Sequence, residues 1–287
     1  MAGYLLVHDN KPIFFLPGVP HEMRELLANT VIPRLGILQD GAVKLVKQKV
    51  YKVFGVGEIE INRRVTHLER EEDGRVRIGY YPVFPEVHLS LTVIDEDKSE
   101  IKRTFQHLEK EIELSLGDSL FGADDDTMES VVGELLQGQG KVLATAESCS
   151  GGLIGHKITP VPGSSNYFAG GVIAYSNALK EKLLGLDSSL LEEHGAVSSA
   201  VAKAMADGIR HKTGADIGVS VTGIAGPTGG TEEKPVGTVF IGLSTPDETV
   251  AIPCRFPGDR WQVQELTAVK SLDLIRRLLL GIKLQIT

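Results

Sequence analysis

The 287-residue chain carries 30 Lys and Arg against 38 Asp and Glu, a net charge of −8. An extended nucleic-acid footprint is therefore not expected, although a local basic pocket for a phosphate remains compatible with this balance. Hydrophobic residues make up 42% and charged residues 24%, ordinary for a soluble globular chain long enough for two domains and a further piece. Two cysteines, Cys149 and Cys254, exclude a disulfide scaffold and point to a reducing compartment. Residues 1–9 show no basic leader region, and the uncharged stretch around Pro160 to Leu179 is broken by Pro, Gly, Ser and Asn. A cytoplasmic protein that does not cross a membrane is expected.

In chain order, Tyr4 to His8 and Ile13 to Leu16 flank a turn at Asp9-Asn10 and read as a hairpin. Pro17-Gly-Val-Pro20 ends it, and His21 to Leu35 reads as a helix. Two strands and one helix cannot bury a core alone. Residues 1–38 are therefore expected to dock on another domain, to pair with a second chain, or to be the remnant of a larger domain. The need for a partner surface makes a homodimer the expectation.

Residues 41–123 form a fuller unit. Val43 to Phe54 alternates lysine with apolar residues as a strand does, and Val56 to Leu68 has helical spacing. Val76 to Pro82 and Val87 to Ile94 are strands, with Val87, Leu89, Leu91 and Val93 on one face. Lys98 to Leu116 is an amphipathic helix carrying Ile101, Phe105, Leu108, Ile112 and Leu116 on one side. The order predicts a small α+β module. Asp124-Asp-Asp126 is an acidic linker, and Thr127 caps a helix over Glu129 to Leu136 with Ser130 at the third helical position.

Residues 127–287 alternate strand and helix. Val142–Ala146, Gly170–Tyr175, Ile217–Thr222, Val236–Leu243 and Glu248–Phe256 are expected strands. Helices are expected near 149–158, 178–184, 188–194, 198–213 and 259–281. This alternation predicts an α/β layered sandwich.

The chemistry concentrates in this last unit. Glu147-Ser148-Cys149-Ser150 opens the expected 149–158 helix, where bare amides and the positive dipole end favour negative charge. Two readings stand side by side: a nucleophilic hydroxyl or thiol, or an N-cap serine followed by a small buried cysteine. A cysteine nucleophile needs a positioned base such as His156, so Cys149 ranks below serine. Ser164-Ser165 lies on a turn, where hydroxyls often serve turn chemistry alone. Lys180 falls on the first turn after the Ser176-Asn177 cap, and its side chain leans back toward Tyr175. Among apolar neighbours its pKa would fall, which suits a base for a serine; a solvated surface lysine like Lys182 is the plainer reading. Thr222-Gly223-Ile-Ala225-Gly226 leads a glycine-rich loop that lets backbone approach a ligand, without the spacing of a phosphate-binding P-loop. Asp259 would cap the last helix, and Arg260 beside it is placed for a bidentate contact with a phosphate or carboxylate, or simply exposed.

Thr145-Ala-Glu-Ser-Cys-Ser-Gly-Gly152, Gly163-Ser-Ser165, Tyr175-Ser-Asn177, Gly195-Ala-Val-Ser198, Thr222-Gly-Ile-Ala-Gly-Pro227, Glu233-Lys-Pro-Val-Gly-Thr238 and Gly258-Asp-Arg260 together resemble the C-terminal domain of the competence/damage-inducible protein CinA family. The resemblance runs in register from about residue 127 to 281. It implies an amidase without a cofactor or metal, converting nicotinamide mononucleotide and water to nicotinate mononucleotide and ammonia. Carried over by position, it implies Ser165 as nucleophile and Lys180 as base, with Tyr175 and Ser148 in the adjoining hydroxyl network. Thr222, Gly223, Ala225, Gly226, Ser150 and Arg260 would contact the substrate, Arg260 at its charged end.

The middle unit resembles the family's KH-type module. Gly55-Val-Gly57-Glu58 supplies no basic GxxG loop, so a spacer or dimerisation role is expected, not nucleic-acid binding. Phe15-Leu-Pro-Gly-Val-Pro-His-Glu-Met23 resembles the tail of the family's molybdopterin-binding-like N-terminal domain, with which ADP-ribose pyrophosphatase activity is associated. The expected architecture is thus a three-layer α/β sandwich at 127–287, preceded by a KH-type α+β domain at 41–123 and an α/β remnant at 1–38. Two alternatives accompany the amidase: a non-catalytic nucleotide sensor or DNA-repair and competence partner-binding module, and a metal-dependent ADP-ribose pyrophosphatase.

Overall fold

A computed structural model describes residues 3–9, 11–38, 44–70 and 74–284. Asn10 of the expected turn, the start of the expected strand at Val43, and residues 285–287 lie outside the described residues. The first segment pairs β1 (Tyr4–His8) with β2 (Lys11–Phe15) in an antiparallel hairpin. Helix α1 (Pro20–Leu26), a π-turn over Leu27–Val31 and α2 (Ile32–Leu38) follow. Val31 is its one buried hydrophobic residue among those described. So little burial agrees with the expectation that two strands and a helix make no core of their own.

The middle unit holds β3 (Leu45–Val53), α3 (Glu58–Arg70), β4 (Val76–Val83), β5 (Glu86–Asp95), α4 (Lys98–Leu116) and β6 (Leu120–Ala123). Its sheet order is β4-β5-β3-β6, antiparallel throughout. Leu89, Leu91 and Val93 of β5 face Ile101, Phe105, Leu108 and Ile112 of α4, the faces that period-2 and period-3.6 spacing predict. Strand β6 was not expected. It is four residues long and pairs β3 across a register shift at Lys52/Val53, too short to show a pattern.

The last unit runs α5 (Met128–Gly138), β7 (Leu143–Glu147), α6 (Leu153–Ile158), β8 (Phe168–Ile173), α7 (Asn177–Leu184), α8 (Ser188–His194), α9 (Ser199–Thr213), β9 (Ile217–Gly223), β10 (Thr238–Ser244), β11 (Thr249–Arg255) and α10 (Arg260–Leu279). The sheet order is β11-β10-β9-β7-β8. Strands β8, β7 and β9 are parallel, while β10 and β11 are antiparallel additions. Leu143 and the Ile217, Val219 and Val221 side chains pack toward α5, α6 and α10. Ala144 and Ala146 face the α7, α8 and α9 side. Both faces of the parallel core are covered, giving three layers.

Small residues set how closely α9 approaches the sheet. A Cβ on Gly218 would stand 2.2 Å from the Ala206 carbonyl oxygen, and one on Gly242 2.3 Å from that of Ala202. Ser220 between them donates to the Ala202 carbonyl at 2.6 Å. Gly242→Val is therefore expected to lower stability by about 3 kcal/mol, because α9 must lift off the sheet to admit the side chain. A denaturant midpoint that drops at unchanged slope checks this; an unchanged midpoint would show that the layer yields freely.

Candidate active site

The site forms where β7 and β9 end. Each parallel strand delivers its loop to the same edge, so the residues following β7, β8 and β9 meet there. A pocket of about 250 Å³ opens at this edge. Ser148 and Cys149 come from the β7 end, and Tyr175, Asn177 and Lys180 from beyond β8. Thr222, Gly223 and Ala225 come from the β9 end, and Arg260 from the first turn of α10.

Glu147 organises the loop after β7. Its side chain is buried at 2% exposure. One carboxylate oxygen accepts from the Ser150 hydroxyl at 2.6 Å and from the amides of Gly152 and Ile154 at 3.0 Å each. The other accepts from the Gly155 amide at 2.8 Å. These are the bare N–H groups at the start of α6, satisfied by a carboxylate at the positive end of the helix. Helix α6 begins at Leu153, not 149, after Gly152 with φ 99°. The capping role offered for Ser148 thus belongs to Glu147, and residues 148–152 form a loop. Ser150 spends its hydroxyl on Glu147 and does not line the pocket, a correction to its expected substrate contact.

Freed from capping, Ser148 meets Lys180. The ammonium nitrogen of Lys180 lies 3.2 Å from Ser148 Oγ and donates to the Ala174 carbonyl at 2.9 Å. Lys180 is 2% exposed, and among the described residues no carboxylate pairs with it. Burial holds its ammonium below the usual lysine range. Its helix α7 starts at the Ser176 cap, whose hydroxyl accepts from the Leu179 amide at 3.3 Å. That geometry projects Lys180 back over the β8 end, as helical side-chain direction predicts. Lys182 is exposed.

Ser165 lies elsewhere. It is exposed on a 3-10 turn over Ser164–Asn166, ahead of β8, whereas Lys180 follows β8. The six residues of Phe168–Ile173 separate the two, roughly 20 Å at ~3.3 Å rise per residue. Because β7 runs parallel to β8, Ser148 at the β7 end is on the lysine's side of the sheet and Ser165 is not. The pairing of Ser165 with Lys180 is corrected accordingly: the hydroxyl facing the amine is Ser148.

Cys149 is buried, and loss of solvent pushes its thiol up to about 12, which disfavours the reactive thiolate. His156 is exposed on α6, and no hydrogen bond between it and the Cys149 thiol is present among the described residues. The Cys149 carbonyl accepts from the Gln264 side chain of α10 at 3.0 Å, which pins the loop. Thr222 is buried and gives its hydroxyl to the Ala196 carbonyl at 2.7 Å, holding the 196–197 wall of the pocket. Arg260 donates to the Gly226 carbonyl and to the Tyr175 hydroxyl, both at 2.8 Å. Gly226 therefore supports the pocket from behind Arg260, and Tyr175, itself 59% exposed, stands at the mouth. Sequence reasoning missed Glu147 and Asn177. A glutamate closing a buried strand just before Ser-Cys-Ser-Gly-Gly was the available signal for the first.

The fold defines a three-layer α/β protein with a pocket where its parallel strands end. Residues 125–279 match the CinA C-terminal domain, and residues 48–122 match the damage-inducible protein CinA KH domain. The chain belongs to the CinA family. It is 51% identical over 280 residues to a CinA-like protein of Desulfotalea psychrophila and 42% identical to one of Geotalea daltonii, in each case spanning 98% of this chain and 67% of the relative. A crystal structure of the competence damage-inducible protein A of Klebsiella pneumoniae superimposes with a TM-score of 0.52 at 29% identity, over 55% of this chain and 100% of that one. A competence/damage inducible protein of Agrobacterium tumefaciens gives 0.51 at 33% identity, over 53% and 94%. Among the described residues no helix is long and apolar enough to cross a membrane.

Proposed function

We propose that this pocket hydrolyses the carboxamide of nicotinamide mononucleotide, giving nicotinate mononucleotide and ammonia. The observation that carries the reading is the approach of Lys180 to Ser148, a buried amine with no carboxylate partner among the described residues, 3.2 Å from a hydroxyl at a pocket wall. In its neutral form Lys180 takes the serine proton as Ser148 Oγ adds to the carboxamide carbon. The Ala174 carbonyl accepts from the amine at 2.9 Å and so holds it beside Ser148. The amide of Cys149, next in sequence after Ser148, would serve as an oxyanion donor, the position that α/β-hydrolases use for one. Lys180 then passes the proton to the departing ammonia, and water releases the acid by the reverse sequence. Arg260, held toward the mouth with Tyr175, supplies positive charge for the substrate phosphate.

Incubating the protein with nicotinamide mononucleotide in EDTA and measuring ammonia tests the reading directly. Turnover supports the amidase. Saturable binding without turnover points instead to a nucleotide sensor, and hydrolysis of ADP-ribose that needs added metal points to the pyrophosphatase.

The pH dependence is a sharper test. Lys180 must be neutral to act, and burial lowers its pKa. The rate constant kcat/KM is expected to rise with pH as one proton is lost and to level off below the ordinary lysine value of about 10.4. Lys180→Arg keeps its proton throughout and should lose roughly 10³-fold or more in kcat. A flat profile from roughly pH 6 to 10, or an active arginine variant, would remove Lys180 from the role of base.

A further inference from the structure

We propose that a second cleft, between the four-stranded unit and α10, binds a small molecule bearing phosphate or pyrophosphate. The cleft measures about 650 Å³ and shares no residue with the Ser148 pocket. Arg64 of α3 with Ser115 and Ser119 near the end of α4 form one wall; Lys270, Asp273 and Arg277 of α10 form the other.

Two cations of the wall, and the buried Arg276 behind it, converge on one carboxylate. Lys270, Arg276 and Arg277 approach Asp273 at 3.3, 2.8 and 2.9 Å. Asp273 is 1% exposed and offsets the charge of only one of them. Asp118 lies 3.9 Å from Arg277, but its side chain is 60% exposed and solvent screens it. Glu60 is shared between Arg63 and Arg64. The cleft therefore keeps surplus positive charge in a chain whose net charge is −8.

Spare donors accompany the charge. An ammonium has three protons, yet Lys270 meets one acceptor, Asp273, among the described residues. A guanidinium has five N–H groups, and Arg64 engages Glu60 through Nε alone. The Ser115 and Ser119 hydroxyls have no partner among the described residues. Several anionic oxygens on one compact group satisfy forks, a point charge and hydroxyls together, which is the chemistry of a phosphate or pyrophosphate. The occupant would bridge both walls. Helix α10 is continuous for 20 residues from Arg260 to Leu279, so the same rod carries this cleft and the wall of the Ser148 pocket.

Isothermal titration of the full chain with inorganic pyrophosphate tests the assignment. Saturable binding is expected, weakened by salt, retained in Arg260→Ala, and reduced roughly tenfold or more in Lys270→Gln and in Arg64→Gln. Lys270→Gln leaves Asp273 paired with Arg276 and Arg277, and Arg64→Gln leaves Glu60 paired with Arg63, so both variants keep the fold; a thermal melt verifies it. Absence of saturable binding overturns the proposal. Loss in Arg260→Ala with retention in Lys270→Gln overturns it in favour of the Ser148 pocket. Displacement by a single-stranded oligonucleotide that binds more tightly than pyrophosphate overturns it in favour of a nucleic-acid surface.

Discussion

Ser148→Ala is expected to abolish ammonia release from nicotinamide mononucleotide, by roughly 10⁴-fold or more in kcat, while Ser165→Ala stays within about threefold of the parent protein. The difference rests on strand direction. Ser148 follows β7 and faces the Lys180 amine at 3.2 Å, whereas Ser165 precedes β8 at the far edge of the sheet. Removing Oγ takes away the group that would form the acyl-enzyme, and nothing beside it replaces it: the neighbouring Cys149 thiol is buried and pushed up to about 12. Stability should change little, since Ser148 Oγ makes only the contact with Lys180 among the described residues. Single-turnover ammonia measurement on both variants, with thermal melts as a folding control, gives the answer. An active Ser148→Ala paired with a dead Ser165→Ala would reverse the assignment.

Glu147→Ala should be the most destabilising single change at the site, by about 3–5 kcal/mol. The variant leaves the amides of Gly152, Ile154 and Gly155 and the Ser150 hydroxyl without their acceptor in a buried place. It also removes negative charge from the positive end of α6. For a unit of this size the loss corresponds to a Tm lower by roughly 6–20 °C. Activity should fall with it, because the same carboxylate fixes the loop that presents Ser148. Glu147→Gln isolates the charge: it keeps one acceptor oxygen but turns an NH₂ toward backbone donors, so an intermediate loss is expected. A melt for Glu147→Ala that matches the parent would show that the loop is held by Gln264 and the β9 pairing alone.

Much of the fold was legible in the chain itself. The Ile101 to Leu116 stripe of α4 and the alternation along β5 carry their burial in their spacing, because helix and strand periods decide which side chains share a face. The caps at Thr127, Ser176 and Asp259 were likewise readable, since a cap is a local bargain between one side chain and amides two or three residues away. The lean of Lys180 toward the strand end followed from the same local geometry.

What no local rule could supply was which hydroxyl the lysine meets. Ser148 and Ser165 lie 32 and 15 residues from Lys180 in sequence. Only the parallel pairing of β7 with β8 places the more distant one beside it and carries the nearer one to the opposite edge. The same holds for Glu147, whose carboxylate became a cap once the chain ran on through a left-handed Gly152 before starting α6. Elements, their faces and the inventory of reactive groups follow from the order of residues, because these depend on neighbours within a turn or a pleat. Tertiary structure alone decided the pairing of Ser148 with Lys180 and the placing of Arg64 of another unit opposite the Lys270, Asp273 and Arg277 cluster, which helix spacing along α10 already brings together. Distance through space is set by strand order and packing, not by separation along the chain.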